Sequence, residues 1–90
     1  MPESDFIAIC KKGIVDYYIN HNKKIDEEKI YVVWLCKVLQ NNKALLSTPI
    51  LDGMYFECTY NGDKKELYID AYSKEQNIVY RWREYEEKSI

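Results

Sequence analysis

Histidine is almost missing from this 90-residue chain, His21 being the only one. Any scheme that uses an imidazole as base or metal ligand must pass through that residue. Glycine is sparse and scattered, at positions 13, 53 and 62, so no glycine-rich loop is present to cradle a phosphate. The three cysteines, Cys10, Cys36 and Cys58, are odd in number, widely spaced and without a Cys-x-x-Cys pair. That pattern argues against both a disulfide framework and a zinc knuckle, and fits reduced thiols in a cytoplasm. Long hydrophobic runs are lacking too: the longest, IYVVWLC, is seven residues, well short of the ~20 that a bilayer-spanning helix needs. No membrane association is expected. The start, MPESDFIAICKKG, sets acids before a short apolar run where an export signal would carry basic residues, so export is not expected. Nor is there an excess of one charge: the formal net charge is −2, with lysines and acids interspersed, which argues against nonspecific nucleic-acid binding.

What is present is a globular composition, 47% hydrophobic and 31% charged, with nine tyrosines. Ninety residues suit a single domain with one modest core. From Glu3 or Ser4 to Asn22, residues Ile7, Cys10, Ile14, Tyr17 and His21 recur at helical spacing and predict one amphipathic helix over 3–22. Gly13 interrupts it at a cost of about 1 kcal/mol relative to alanine, which implies a close neighbour, most naturally a sheet. IYVVWLCKVLQ then reads as a strand buried on both faces for part of its length, turning at Asn41-Asn42 so that Val38 faces Leu45 and Cys36 faces Ser47. TPILDG is a loop. MYFECTY and KELYIDAY flank Asn61-Gly62, a strong hairpin signal, in a register that pairs Phe56 with Leu67 and Met54 with Ile69. IVYRW reads as a fifth, edge strand within a polar tail over 78–90. The expected fold is α+β: an N-terminal helix on a four- to five-stranded antiparallel meander over 30–72, a cystatin-like element order.

Candidate chemistry is thin. Cys10 and His21 are separated by roughly 16 Å of helix, too far for a thiol and its base, so His21 is expected as a helix-end or partly buried histidine. Cys36 and Cys58 are expected to point inward as small apolar residues. The hairpin's opposite face carries Tyr55, Glu57, Glu66, Tyr68, Asp70 and Tyr72. In the predicted register Glu57 lies beside Glu66, a pair that either sits solvated near Lys64 or a lysine of a neighbouring strand, or shares a proton, binds a divalent cation or meets a basic partner. Tyrosine rows are equally suited to stiffening a hairpin and to recognition, because a large amphipathic ring loses little entropy on contact. Tyr80, Arg81, Trp82 and Arg83 interleave cations and rings and form a second candidate surface, but Glu84, Glu86 and Glu87 follow at once, against single-strand binding.

Val33-Trp34, Leu39 to Leu45, Asp52 to Tyr55, Thr59 to Asp63 and Glu66 to Tyr72 together resemble a family of small uncharacterised proteins carried by temperate phages and prophages of low-GC Gram-positive bacteria. The resemblance covers residues 31–72; the tail after Asn77 departs from it. It implies a phage accessory gene acting in the host bacterial cytoplasm, and it supplies no catalytic or binding residues. The leading expectation is a non-enzymatic protein, without cofactor or metal, that binds a host protein or defence system through the tyrosine- and acid-rich sheet face, with homodimerisation open. A homo-oligomeric sponge for a small signalling nucleotide is one alternative. A weak enzyme built on the Glu57/Glu66 pair is the other.

Overall fold

A computed structural model describes residues 1–81 of the chain. Helix α1 spans Glu3–Asn20, a single 3₁₀ turn η1 spans Glu27–Lys29, and four strands follow: β1 Tyr31–Val38, β2 Asn41–Ser47, β3 Met54–Asn61 and β4 Glu66–Ser73. The sheet is an antiparallel meander in the order β1-β2-β3-β4, and α1 packs on one face of it, against β3 and β4. This is the expected two-layer α+β fold with four strands. Residues 78–81 form no strand, so the fifth strand is absent among the described residues, and the rest of the expected tail, residues 82–90, lies outside them.

Pro2 precedes the helix, and its carbonyl takes the amide of Phe6 at 3.0 Å, while Glu3 and Asp5 place carboxylates at the positive end of the helix dipole. The helix stops two residues before the expected end. Asn22 adopts a φ of +60°, the amide of Lys23 reaches the Tyr18 carbonyl at 2.8 Å and that of Asn22 reaches Ile19 at 3.0 Å. This pair of bonds is the Schellman closure for which asparagine is suited. The buried stripe also differs from expectation. Phe6, Cys10, Ile14 and Tyr18 are buried, while Ile7 and Tyr17 are only partly so and His21 is exposed. Apolar residues lie on both sides of Cys10 and Ile14, and the sheet seats the four-spaced ridge rather than the mixed one.

Both hairpins turn elsewhere than at Asn41-Asn42 and Asn61-Gly62. The first turn is Leu39-Gln40, so Cys36 pairs with Lys43 and Leu35 with Ala44. The second is a four-residue loop over 62–65 that pairs Phe56 with Ala71, Cys58 with Ile69 and Tyr60 with Leu67. Asn61 ends the strand instead of turning it. Its side-chain oxygen accepts the amides of Asp63 at 3.0 Å and Lys64 at 3.1 Å, a local closure typical of asparagine. The β3–β4 register lies an even number of residues from the expected one, so Phe56 and Ile69 still face the helix.

The core unites Phe6, Cys10, Ile14 and Tyr18 of α1 with Ala44, Leu46, Phe56 and Cys58 of the sheet and Ile30 before it. Phe56 is its centre, edge-on to Tyr18 at 5.7 Å and to Tyr17 at 5.1 Å between ring centroids. Gly13 meets Ile69 of β4 where a Cβ would stand, the close approach to a sheet that its position implied. β1 departs furthest from expectation. It lies at the sheet edge, and every residue of it except Leu35 is exposed. A strand with one neighbour and no covering layer cannot bury both faces, whatever its composition.

Candidate functional site

The sheet face opposite α1 is built by alternation. Ala44 and Leu46 face the helix, so Asn41, Lys43, Leu45 and Ser47 of β2 face away. Pairing carries that outer face across the sheet in four rows: Tyr31, Ser47, Tyr55, Tyr72; Trp34, Leu45, Glu57, Asp70; Cys36, Lys43, Thr59, Tyr68; Val38, Asn41, Asn61, Glu66. All six expected site residues, Tyr55, Glu57, Glu66, Tyr68, Asp70 and Tyr72, stand on this one face. Cys58 is buried against the helix as expected, but Cys36 is exposed and lies on the outer face, a correction to its expected inward position.

The pairs within the face change with the register. Glu57 stands across from Asp70 rather than Glu66, and Tyr55 across from Tyr72 rather than Tyr68. A joint Glu57/Glu66 acid and base is therefore not formed. Glu57 is neutralised from β2, its carboxylate 3.5 Å from the Lys43 ammonium, which is the neighbouring-strand lysine that solvated carboxylates were expected to find. Glu66, one row from Tyr68 on the same strand, accepts the Tyr68 hydroxyl at 2.6 Å, and this bond holds the Tyr68 phenol above its ordinary pKa. The face so formed carries three carboxylates against one lysine, with aromatic rings gathered at the Tyr31 end and acids toward β4.

Three further outer-face residues were missed from sequence: Tyr31, Trp34 and Leu45. Strict alternation puts Tyr31 and Trp34 on opposite faces. A bulge at Val33 adds one residue to β1 between Val32 and Trp34 and brings both rings to the same side. Nothing in YVVWL marks that bulge. Tyr31 is 50% exposed, Trp34 40% and Tyr72 52%, an unusual display of large rings on a small domain.

Elsewhere His21 closes the helix end, its Nδ1 donating to the Tyr17 carbonyl at 2.7 Å with the ring 4.2 Å from that of Tyr17. Cys10 is buried against Cys58, whose sulfur raises the Cys10 thiol pKa through hydrogen bonding, with burial adding to the effect. The described residues hold no group of three or more His, Cys, Asp or Glu side chains able to bind a metal, and no helix among them is long and apolar enough to cross a membrane. A cleft of about 400 Å³ opens between the start of α1 and β1, lined by Met1, Pro2, Glu3, Leu35, Cys36, Lys37 and Asn42, away from Glu57, Glu66 and Asp70. Tyr80 and Arg81, from the second candidate surface, are exposed beyond β4, whereas Trp82 and Arg83 lie outside the described residues.

Fold and face together define a two-layer α+β domain in which one sheet surface is packed by a helix and the other carries no second helix or sheet among the described residues. The chain belongs to DUF6275, a family of unknown function, whose pattern matches residues 7–82 and so takes in nearly all of α1 and the entire sheet. Neither a curated protein nor a solved structure matches the chain.

Proposed function

We propose that the protein is a non-enzymatic binding module, a phage accessory protein that engages a host protein in the bacterial cytoplasm through the outer sheet face. One observation supports this reading above the others: the face carries aromatic side chains at Tyr31, Trp34, Tyr55, Tyr68 and Tyr72 with no second layer over them among the described residues. Rings that only stiffened the β3–β4 hairpin would not need to reappear on β1, where Tyr31 and Trp34 join the same face. Large, rigid, amphipathic rings surrounded by polar groups are the composition of recognition surfaces. The excess of carboxylates over Lys43 favours a partner with a basic surface, such as a site that ordinarily receives nucleic acid.

The test is affinity capture from lysate of an infected low-GC Gram-positive host. Wild type is compared with a Tyr55→Ala, Tyr68→Ala, Tyr72→Ala variant and with Asp70→Lys, an exposed single change, all checked for fold by circular dichroism. A basic protein retained by wild type, lost by both variants and released by added salt is the expected result. Equal recovery of every protein by all three chains would sink the proposal.

A further inference from the structure

Among the described residues the outer face is one unsatisfied surface and the unpaired edge of β1 is another, which calls for a different occupant. Soluble proteins blunt their edge strands with charges, proline or a covering element, because an open row of N–H and C=O groups invites another strand. β1 has few of these safeguards. Its sequence YVVWLCKV holds one charge, Lys37, and no proline, and Val33 and Val38 are 46% and 60% exposed beside Trp34. The other edge, β4, carries Glu66 and Asp70 and continues into residues 74–81.

From this we infer that β1 pairs antiparallel with β1 of a second copy of this chain, about a twofold axis at Cys36, to make a continuous eight-stranded sheet. The backbone direction is set by the first hairpin. Val38 and Asn41 flank its two-residue turn and form a paired position, so Val38, Cys36 and Trp34 turn their N–H and C=O toward β2 while Lys37 and Leu35 turn theirs to the open edge. A twofold on such an edge must match outward residues with outward residues. Three registers do so near the strand centre. Leu35 opposite Leu35 would require the bulged Val33 to pair with Lys37. Lys37 opposite Lys37 would set two ammonium groups against each other, which is unfavourable. Leu35 opposite Lys37 avoids both, uses only residues 34–38, and places Trp34 against Val38 and Cys36 against its own copy.

That register makes Cys36 a reporter. The Cys36 pair is of the closely spaced kind, with Cα atoms about 4.5 Å apart, within the range a disulfide spans. Cys10 and Cys58 are fully buried and do not compete. About 17 Å of paired edge per copy is shorter than a stable interface of ~800 Å² per partner needs, so the dimer is concentration-dependent and not obligate. The pairing is independent of whether the outer face binds a host protein.

Sedimentation of the full chain reads the mass directly: it should rise from 10.8 kDa toward twice that value as concentration increases from about 10 µM to 1 mM. Lys37→Pro, which removes only an outward N–H, should hold the mass at one copy with unchanged circular dichroism. Diamide, which takes one hydrogen from each of two thiols as the S–S bond forms and is itself reduced to the hydrazine, should link wild-type chains at least about tenfold faster than a Cys36→Ser, Lys64→Cys control whose thiols meet only by collision. In a Cys36→Ser background, Trp34→Cys chains should link to Val38→Cys chains and neither to itself. A monomer at 1 mM, or Cys36 linking no faster than the Lys64→Cys control, would overturn the proposal, and neither outcome requires a variant of the edge to fold.

Discussion

Tyr18 shows how one side chain ties the helix to the far end of the sheet. It is 1% exposed, its ring meets Phe56, and its hydroxyl donates to Asp52 Oδ2 at 2.7 Å. The other oxygen of Asp52 accepts the Met54 amide at 3.1 Å, so one carboxylate organises the loop into β3 and anchors the helix. Burial first, and the Asp52 hydrogen bond second, push the Tyr18 phenol up to about 12. Its neutral form is the one that folding favours. The stabilisation is therefore complete below the ordinary tyrosine pKa near 10 and is lost as pH rises through about 12. Wild type should lose on the order of 2 kcal/mol across that window from this group. Tyr18→Phe should be less stable at pH 7 by about 1 kcal/mol through loss of the hydrogen bond, yet should have a flatter stability profile between pH 10 and 12. Urea unfolding at a series of pH values checks both; parallel profiles for the two proteins would exclude Tyr18 as the group responsible.

At the scale of elements, the two hairpins interlock, and this explains why their turns were misplaced from sequence while the faces of β3 and β4 were not. Asn61-Gly62 is a strong two-residue turn signal, but the glycine serves another need. Asn41 and Asn61 are partners across β2 and β3, so the Leu39-Gln40 turn lies beside Gly62, and a Cβ on Gly62 would strike the Gln40 carbonyl oxygen and sit 3.2 Å from Gln40 Cβ. Leu39 takes the positive φ of the first turn, +55°, with its side chain 88% exposed, at a position where a search for asparagine or glycine finds nothing. What survived the error was parity, because the alternation of apolar residues along β3 and β4 fixes the face and is unchanged by an even slip. Gly13 is a milder case. Its neighbour is the terminal Cδ1 of Ile69, the far end of a flexible side chain, so the helical gain of alanine, about 1 kcal/mol, offsets the displacement. Gly62→Ala should accordingly cost about 1–3 kcal/mol, lowering Tm by roughly 5–15 °C for a domain of this size, whereas Gly13→Ala should stay within about 1 kcal/mol of wild type. Calorimetry of the two variants decides it; equal effects would mean that the turns are free to move apart.

Taken whole, the molecule is stabilised unevenly, and the gradient runs across the sheet. β3 is the middle of everything: it is paired on both sides, covered by α1, and supplies Phe56 and Cys58 to the core. β1 has one neighbouring strand among the described residues and only Leu35 of it is even partly buried, so opening it exposes little buried apolar area. Composition pointed the other way, because IYVVWLC is the most hydrophobic run in the chain, and nothing local says whether such a run is central or at an edge. That assignment follows from the order of the strands and the placement of a single helix, which packs against β3 and β4. Amide exchange should therefore be slowest in β3 and the middle of α1, and faster in β1 by at least about an order of magnitude, since local opening replaces global unfolding there. Within β1 the pattern should alternate in dilute solution, the amides of Trp34, Cys36 and Val38 being slower than the outward ones of Leu35 and Lys37. Exchange followed by NMR at about 50 µM checks the gradient. Repeating it near 1 mM should slow Leu35 and Lys37 selectively if the edges pair, because those two amides gain partners and the others already have them. Uniform protection across all four strands under dilute conditions would show that β1 is held by something more than its single ladder to β2.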